Sequence, residues 1–246
     1  MKPQSYIGFH AIAAILSRAR VSGTLYLCGT GKRQQQLQEL ARHARVGIEQ
    51  VDRNRIERLG GPAARGAVLV GTLAGQPPHT LDQTLERLST SHRQQAIVLL
   101  LDHITDPQNL GAVLRSADQF GVDCVVIPQR RAAPLSEAVM RASSGAAAVV
   151  PTVEVANLVR ALEQLKDAGF WIYGADMAGR AVDSQRLDGR VALVLGNEAE
   201  GLSRLVREHC DVIVRIPTGG TLDSLNVSVS AGVFLYEITR QQQRFR

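Results

Sequence analysis

Three stretches of the chain set amide, carboxylate and guanidinium side chains beside glycines. In DHITDPQNLGAVLRSADQFG, residues 102–121, Pro107 keeps Asp106 out of the helical region. Asn109 has the side chain of a helix cap, and Leu110, Val113, Leu114 and Ala117 recur at helical spacing, so a helix is expected to start at Asn109. Gly111 clears space beside that helix start, where free amides favour an anion, and Arg115 leans back toward the same end. In LGNEAEGLS, residues 195–203, Gly196 and Gly201 bracket Asn197, Glu198 and Glu200 and let a ligand approach the backbone closely. Glu198 suits either a hydrogen bond to a sugar or amino group, or the charging of a helix N-terminus. In RIPTGGTLDSLNVSVSAGVFLYEITR, residues 215–240, Gly219 and Gly220 form a loop, Ser224 is placed to cap the next helix, and Asn226 falls in its first turn. Capping alone accounts for Asn and Ser at such positions.

Each stretch follows an apolar run that has to position it. AIVLLLD (96–102), CVVIP (124–128), FWIYG (170–174), VALVLG (191–196) and DVIVRIP (211–217) are continuous apolar segments separated by helical patterns. That alternation predicts an α/β domain with a parallel sheet buried on both faces, and ligands at the carboxyl ends of its strands. Those ends carry Asp102 to Asn109, Gly174 to Asp176, Gly196 to Gly201 and Ile216 to Asn226. Upstream, residues 5–73 read as a small α/β unit. Ile7, Ile12, Ile15 and Leu16 give a helical stripe, and TLYLC (24–28), VGIEQV (46–51) and AVLVGTL (67–73) are strands around a polar helix from Lys32 to Ala44. Residues 75–95 hold two prolines and few apolar side chains, which marks a boundary. The expected division is a small domain over 1–75, a linker over 76–95 and a larger domain over 96–246.

The chain has 246 residues, 45% hydrophobic and 21% charged, a globular balance that excludes disorder as its main state. No apolar run approaches the roughly 18–20 residues of a membrane span, and the start lacks a cleavable leader pattern, so cytoplasm is the expected compartment. Cys28, Cys124 and Cys210 form no CxxC pair and have no His at ligand spacing. That excludes a disulfide framework and structural zinc, and the expectation is three buried, apolar cysteines. The net charge of +5 divides into +7 over residues 1–95 and −2 over 96–246. Of the 28 basic residues 25 are Arg, whose planar fork suits phosphate, so a polyanion partner for the first part is one reading and a codon-driven Arg bias the other. CGTGKRQ (28–34) fails the phosphate-loop pattern, no GxGxxG follows a strand, and neither a nucleophile elbow nor a framed carboxylate pair occurs.

Taken in order, DPQNLGAVLRSA, LGNEAEGL and IPTGGTLDSLNVSVSAG resemble the three signature segments of the SpoU (TrmH-like) RNA ribose 2'-O-methyltransferases, over essentially all of residues 96–240. The region before them, with YIGFHAI at 6–12, is more loosely similar to the small ribosomal-protein-like RNA-binding domain joined by a linker in bacterial 23S rRNA guanosine-2'-O-methyltransferases. The resemblance implies a SPOUT-type α/β catalytic domain with a deep trefoil knot, and a homodimer with active sites at the subunit interface. It also implies RNA as partner, a 23S rRNA guanosine foremost, with no DNA or membrane partner. S-adenosyl-L-methionine is the implied cosubstrate, without a metal. Carried over by position, Gly196, Ile216 and Leu225 match the methyl-donor contacts, with Asn197, Gly201, Pro217 and Ser224 nearby. Asn109, Arg115, Glu198 and Asn226 match the polar residues of the active site. The chain departs from the family at Thr218, where Met is common, and at AARGAVLVG (63–71), which replaces the usual HQG turn.

Other readings stay open at this point. The same signatures serve tRNA methylation and methylation of other rRNA sites. A non-catalytic RNA-binding or ribosome-assembly protein would share the basic first part but would not need the four polar residues, and titration with S-adenosylmethionine separates it from an enzyme. A nucleotide-dependent oxidoreductase is disfavoured by the missing glycine fingerprint.

Overall fold

The apolar runs become strands of two separate sheets. The structure, a computed structural model, describes residues 3–244 apart from 19, 63, 75–79, 92, 134, 222 and 223. The first part runs β1 (Gln4–Ile7), α1 (Phe9–Arg18), β2 (Arg20–Leu27), α2 (Lys32–His43), β3 (Gly47–Gln50), α3 (Arg53–Gly60) and β4 (Ala67–Ala74). Its strand order is β1-β4-β2-β3, with β2 and β3 parallel and β4 antiparallel to β1 and β2. Ile12, Ile15 and Leu16 of α1 and Leu37 of α2 pack on Leu25, Leu27 and Leu69, while Ile56 of α3 seals the other face against Ile7 and Val68. Ile7 therefore belongs to β1 and not to the helical stripe that its spacing suggested. Neither β1 nor α3 announces itself in the sequence, because β1 has four residues and α3, RNRIERLG, buries only Ile56.

The second part begins with α4 (Leu81–Thr90), inside the span expected as a linker. Thr80 caps it in a reciprocal box with Gln83, and Leu81 and Leu88 are buried in the core of the second sheet. The first residues of that expected linker, 76–79, lie outside the described residues. There follow β5 (Ala96–Leu101), α5 (Pro107–Gln119), β6 (Cys124–Pro128), α6 (Glu137–Ala142), β7 (Thr152–Val155) and α7 (Leu158–Asp167). Then come β8 (Trp171–Ala181), β9 (Arg190–Leu195), α8 (Arg204–Glu208), β10 (Val212–Arg215) and α9 (Val227–Gln241).

The six strands are all parallel, in the order β10-β8-β9-β5-β6-β7. Every residue of β5 is buried, as a central strand covered on both faces requires. Ile97, Leu99 and Leu101 face α5 and α9, and Val98 and Leu100 face α4, α7 and α8. The sixth strand, β7, was not expected, since TVEV is too short to stand out. The FWIYG strand runs on past 174. Gly174 pairs with Ile213 but the next pair on β10 is Val214 with Arg180, so residues 175–179 arch out between two consecutive pairings. The two parts touch where Ala148, flanked by Met140 and Val149, packs into the core of the first sheet. Among the described residues no helix is long and apolar enough to cross a membrane.

Candidate active site

The carboxyl ends of β5, β9 and β10 deliver the three polar stretches to one place. After β5 the helix cap is Asp106, whose carboxylate accepts from the amides of Gln108 and Asn109. Pro107 occupies the first helical turn, where its missing N–H costs nothing. Asn109, expected as the cap, is thereby freed and its side chain points elsewhere. Gly111 allows α5 to lie against α6: a Cβ there would stand 2.3 Å from the Ala142 Cβ and 2.9 Å from the Ser143 amide nitrogen. After β10 the cap of α9 is Asn226, accepting from the amides of Ser228 and Val229. Ser224 is exposed and does not cap, and Asn226 precedes the first turn rather than lying in it.

After β9 the chain makes a closed loop. Asn197 and Gly201 exchange two backbone hydrogen bonds, of 3.1 and 2.8 Å. Gly201 takes φ +68°, and a Cβ on Gly196 would fall 2.2 Å from the Gly201 carbonyl carbon, so both positions demand glycine. The loop presents Glu198. Its Oε1 accepts from Asn109 Nδ2 at 3.1 Å, from the Val227 amide at 3.1 Å and from Asn226 Nδ2. Asn226 Nδ2 donates as well to Asn109 Oδ1 at 3.0 Å. Residues 89 and 117 positions apart in sequence thus share one hydrogen-bonded cluster.

Beside this cluster lies a pocket of about 310 Å³ lined by Gly196, Asn197, Gly201, Ile216, Ser224 and Leu225, among others. Its walls are completed by the arch, through Ala175, Asp176 and Met177, and by Thr218, Val227, Ser230 and Phe234. Asp176 is held by Arg207 of α8. The volume is within the range of small-molecule sites, and Gly196 and Gly201 let the loop close on itself along one wall of it. Carboxylates of Asp176, Glu198 and Glu200 and the guanidinium of Arg215 line it.

A family model described as the SpoU rRNA Methylase family matches residues 96–236. The chain belongs to the SpoU rRNA methylase family. It is 40% identical to the 23S rRNA (guanosine-2'-O-)-methyltransferase RlmB of Neisseria meningitidis serogroup B, with 96% of this chain and 94% of that protein covered. The RlmB of Pseudomonas aeruginosa is 39% identical, covering 96% and 95%. Among solved structures, the SpoU methyltransferase AviRb from Streptomyces viridochromogenes in complex with the cofactor AdoMet superposes with a TM-score of 0.75 at 27% identity, covering 99% of this chain and 92% of that one.

Set beside the positions that the SpoU resemblance singled out, the structure brings Asn109, Glu198 and Asn226 together and puts Gly196, Asn197, Gly201, Ile216, Ser224 and Leu225 on the pocket wall. Two positions differ from expectation. Pro217 is absent from the described lining. Arg115 is exposed, donates to Ser144 Oγ at 3.4 Å and does not join the cluster of its own chain. The reason is helical geometry: six residues along α5 place Arg115 about 9 Å from Asn109 and on another side. Sequence reasoning gave no role to Asp102, His103 or Arg215, although all three fall within the stretches it singled out, and Arg215 lines the pocket. It did not reach Ser144, and it reached the arch only at its Ala175–Asp176 end. Of the cysteines, Cys124 is buried but Cys28 and Cys210 are only half-buried. Burial pushes the thiols of Cys124 and Cys210 up to about 12, which keeps them unreactive.

Proposed function

We propose that this chain methylates a ribose 2'-hydroxyl of RNA with S-adenosyl-L-methionine as donor, and that the nucleotide is a guanosine of 23S rRNA. The observation that carries the reading is the convergence of Asn109, Glu198 and Asn226 beside a glycine-walled pocket. The RlmB relatives support the choice of substrate, and the AdoMet-bound AviRb structure supports the donor. When bound, S-adenosylmethionine supplies a methyl group already activated by its sulfonium. What remains for the protein is to align the attacking oxygen about 3–3.5 Å from that methyl carbon and to manage one proton.

Gly196, Gly201, Ile216 and Leu225 would grip the donor, and the Asn109–Glu198–Asn226 cluster would orient the ribose at its mouth. Arg115 contributes a fixed positive charge suited to a developing alkoxide. A guanidinium holds its proton too firmly for ready use as a base. Because Arg115 stands apart from its own cluster, we read the working site as shared between two copies. The exposed stripe Val229, Val233 and Tyr236 on α9, continued by the edge-to-face contact of Tyr236 with Phe120 at the C-cap of α5, supplies an apolar face for that homodimer. The family likeness is the ground for reading the chain after β9 as a trefoil knot, since knots are otherwise nearly absent from proteins.

The first sheet we read as the ribosomal-protein-like RNA-docking domain, with 1–75, 76–95 and 96–246 as the working division and the cytoplasm as compartment. Lys32, Arg33 and Arg42 of α2 and Arg53, Arg55 and Arg58 of α3 are exposed there. The test is methyl transfer from labelled S-adenosylmethionine to 23S rRNA, with modified positions mapped and tRNA as control. A single 2'-O-methylguanosine in 23S rRNA is expected. Donor binding without transfer to any RNA would sink the enzymatic reading.

A further inference from the structure

The carboxylate of Asp102, at the end of β5, is 1% exposed. Its Oδ2 accepts from the Ser203 amide at 2.7 Å. Its Oδ1 receives no hydrogen bond among the described residues. The polar group facing it is the imidazole of His103, with Nδ1 2.8 Å away, at ion-pair distance but without the alignment of a hydrogen bond. A buried carboxylate oxygen left without any partner is costly, so this ring matters to whatever Asp102 holds in place.

His103 takes φ +60°, a conformation that glycine adopts freely and that a Cβ makes unfavourable. The same residue uses its carbonyl to accept from Asn197 Nδ2 at 2.9 Å. Two adjacent residues therefore grip both ends of the Gly196–Gly201 loop. The His103 backbone holds its first turn through Asn197, and the Asp102 carboxylate holds its exit through Ser203. The loop in between carries Glu198 and forms a wall of the pocket.

We infer that His103 is a positioning residue for the methyl donor: by pairing with the buried Asp102 it locks the Asn197–Ser203 loop in the shape that accepts S-adenosylmethionine. This rests on the reading that the Gly196–Gly201 loop holds the donor. A side chain at a glycine-favouring position is then explained by its ring, which completes the clasp.

His103→Gly removes the ring at a position where glycine is sterically preferred, so the fold is retained. Amide hydrogen exchange without any donor reads the clasp directly: the Ser203 and Gly201 amides should exchange about tenfold faster than in the unchanged protein. The Kd for S-adenosylhomocysteine should rise about five- to tenfold, with the KM for RNA unmoved. Adding Asp102→Asn to His103→Gly should recover most of the affinity, because a neutral amide no longer leaves a buried charge unpaired. The inference is overturned by wild-type exchange and affinity in His103→Gly, or by a parallel loss of Tm, donor binding and RNA binding. If the unchanged protein binds no S-adenosylhomocysteine while Ser203 still exchanges faster in the variant, the donor reading fails and the clasp stands.

Discussion

One oxygen, Glu198 Oε1, accepts from Asn109, Asn226 and the Val227 amide, and through it three distant segments acquire fixed positions. Arg115 has no such tie, which separates its contribution from theirs. Arg115→Ala is expected to lower transfer by about 10²–10³-fold, the scale of a lost charge-stabilising donor, while S-adenosylhomocysteine binding by calorimetry changes less than about twofold. Mixing that variant with Glu198→Ala should restore about a quarter of the transfer activity, because half of random dimers then hold one intact composite site. No recovery would place Arg115 and the cluster in the same chain's site. Asn109 also shows what residue types disclose and what they conceal. Asp106 and Asn109 are both good caps three positions apart, and only the proline between them, fitted to a first helical turn, decides for Asp106. With the cap assigned there, the Asn109 side chain becomes available for chemistry.

Between elements, α5 approaches α6 closely at Gly111. Helix propensity alone favours alanine over glycine by about 1 kcal/mol. The would-be Cβ at 2.3 Å from that of Ala142 opposes this, with the Ser143 backbone nitrogen at 2.9 Å behind it. Overpacking of that kind costs about 1–3 kcal/mol, and with backbone as the obstacle the cost should dominate. Gly111→Ala should therefore lower Tm by several degrees, measured by calorimetry, where propensity alone predicts a rise; a higher Tm would show that α6 yields easily. The elements legible in the sequence are those with long patterns. β5 and β9 show as unbroken apolar runs, and α5 and α9 as periodic stripes. β7, α3, α6 and α8 are four to eight residues long and lean on their neighbours for stability, so no local signal reveals them. The arch at 175–179 is invisible for another reason: it is a register shift between β8 and β10, a property of the pair and not of either strand.

Across the whole molecule, charge and chemistry are divided. The excess of +7 falls within residues 1–95, and the cluster and pocket lie entirely beyond them. Sequence order showed which segments carry polar residues. That they converge, and that Arg115 does not join them within one chain, depends on strand order and helix rotation, which composition does not encode. The basic surface is best tested on the intact protein. Deleting residues 1–90 would also remove α4, whose Leu81 and Leu88 belong to the second core, and would bare Ala148 where it packs on the first sheet. Arg53, Arg55 and Arg58 lie exposed on α3, and glutamine in their place keeps helix propensity and leaves Ile56 buried. Arg53 pairs with Glu57 at the surface, a contact of little energetic weight, so the triple substitution should leave Tm nearly unchanged. Each lost phosphate contact removes about 0.7–0.9 from the slope of log K against log salt, so binding to a 23S rRNA transcript should become less salt-dependent by about 2. S-adenosylhomocysteine binding in the second part should stay as it was. A slope identical to that of the unchanged protein, measured by filter binding across salt concentrations, would remove α3 from the RNA surface and shift the docking role to α2.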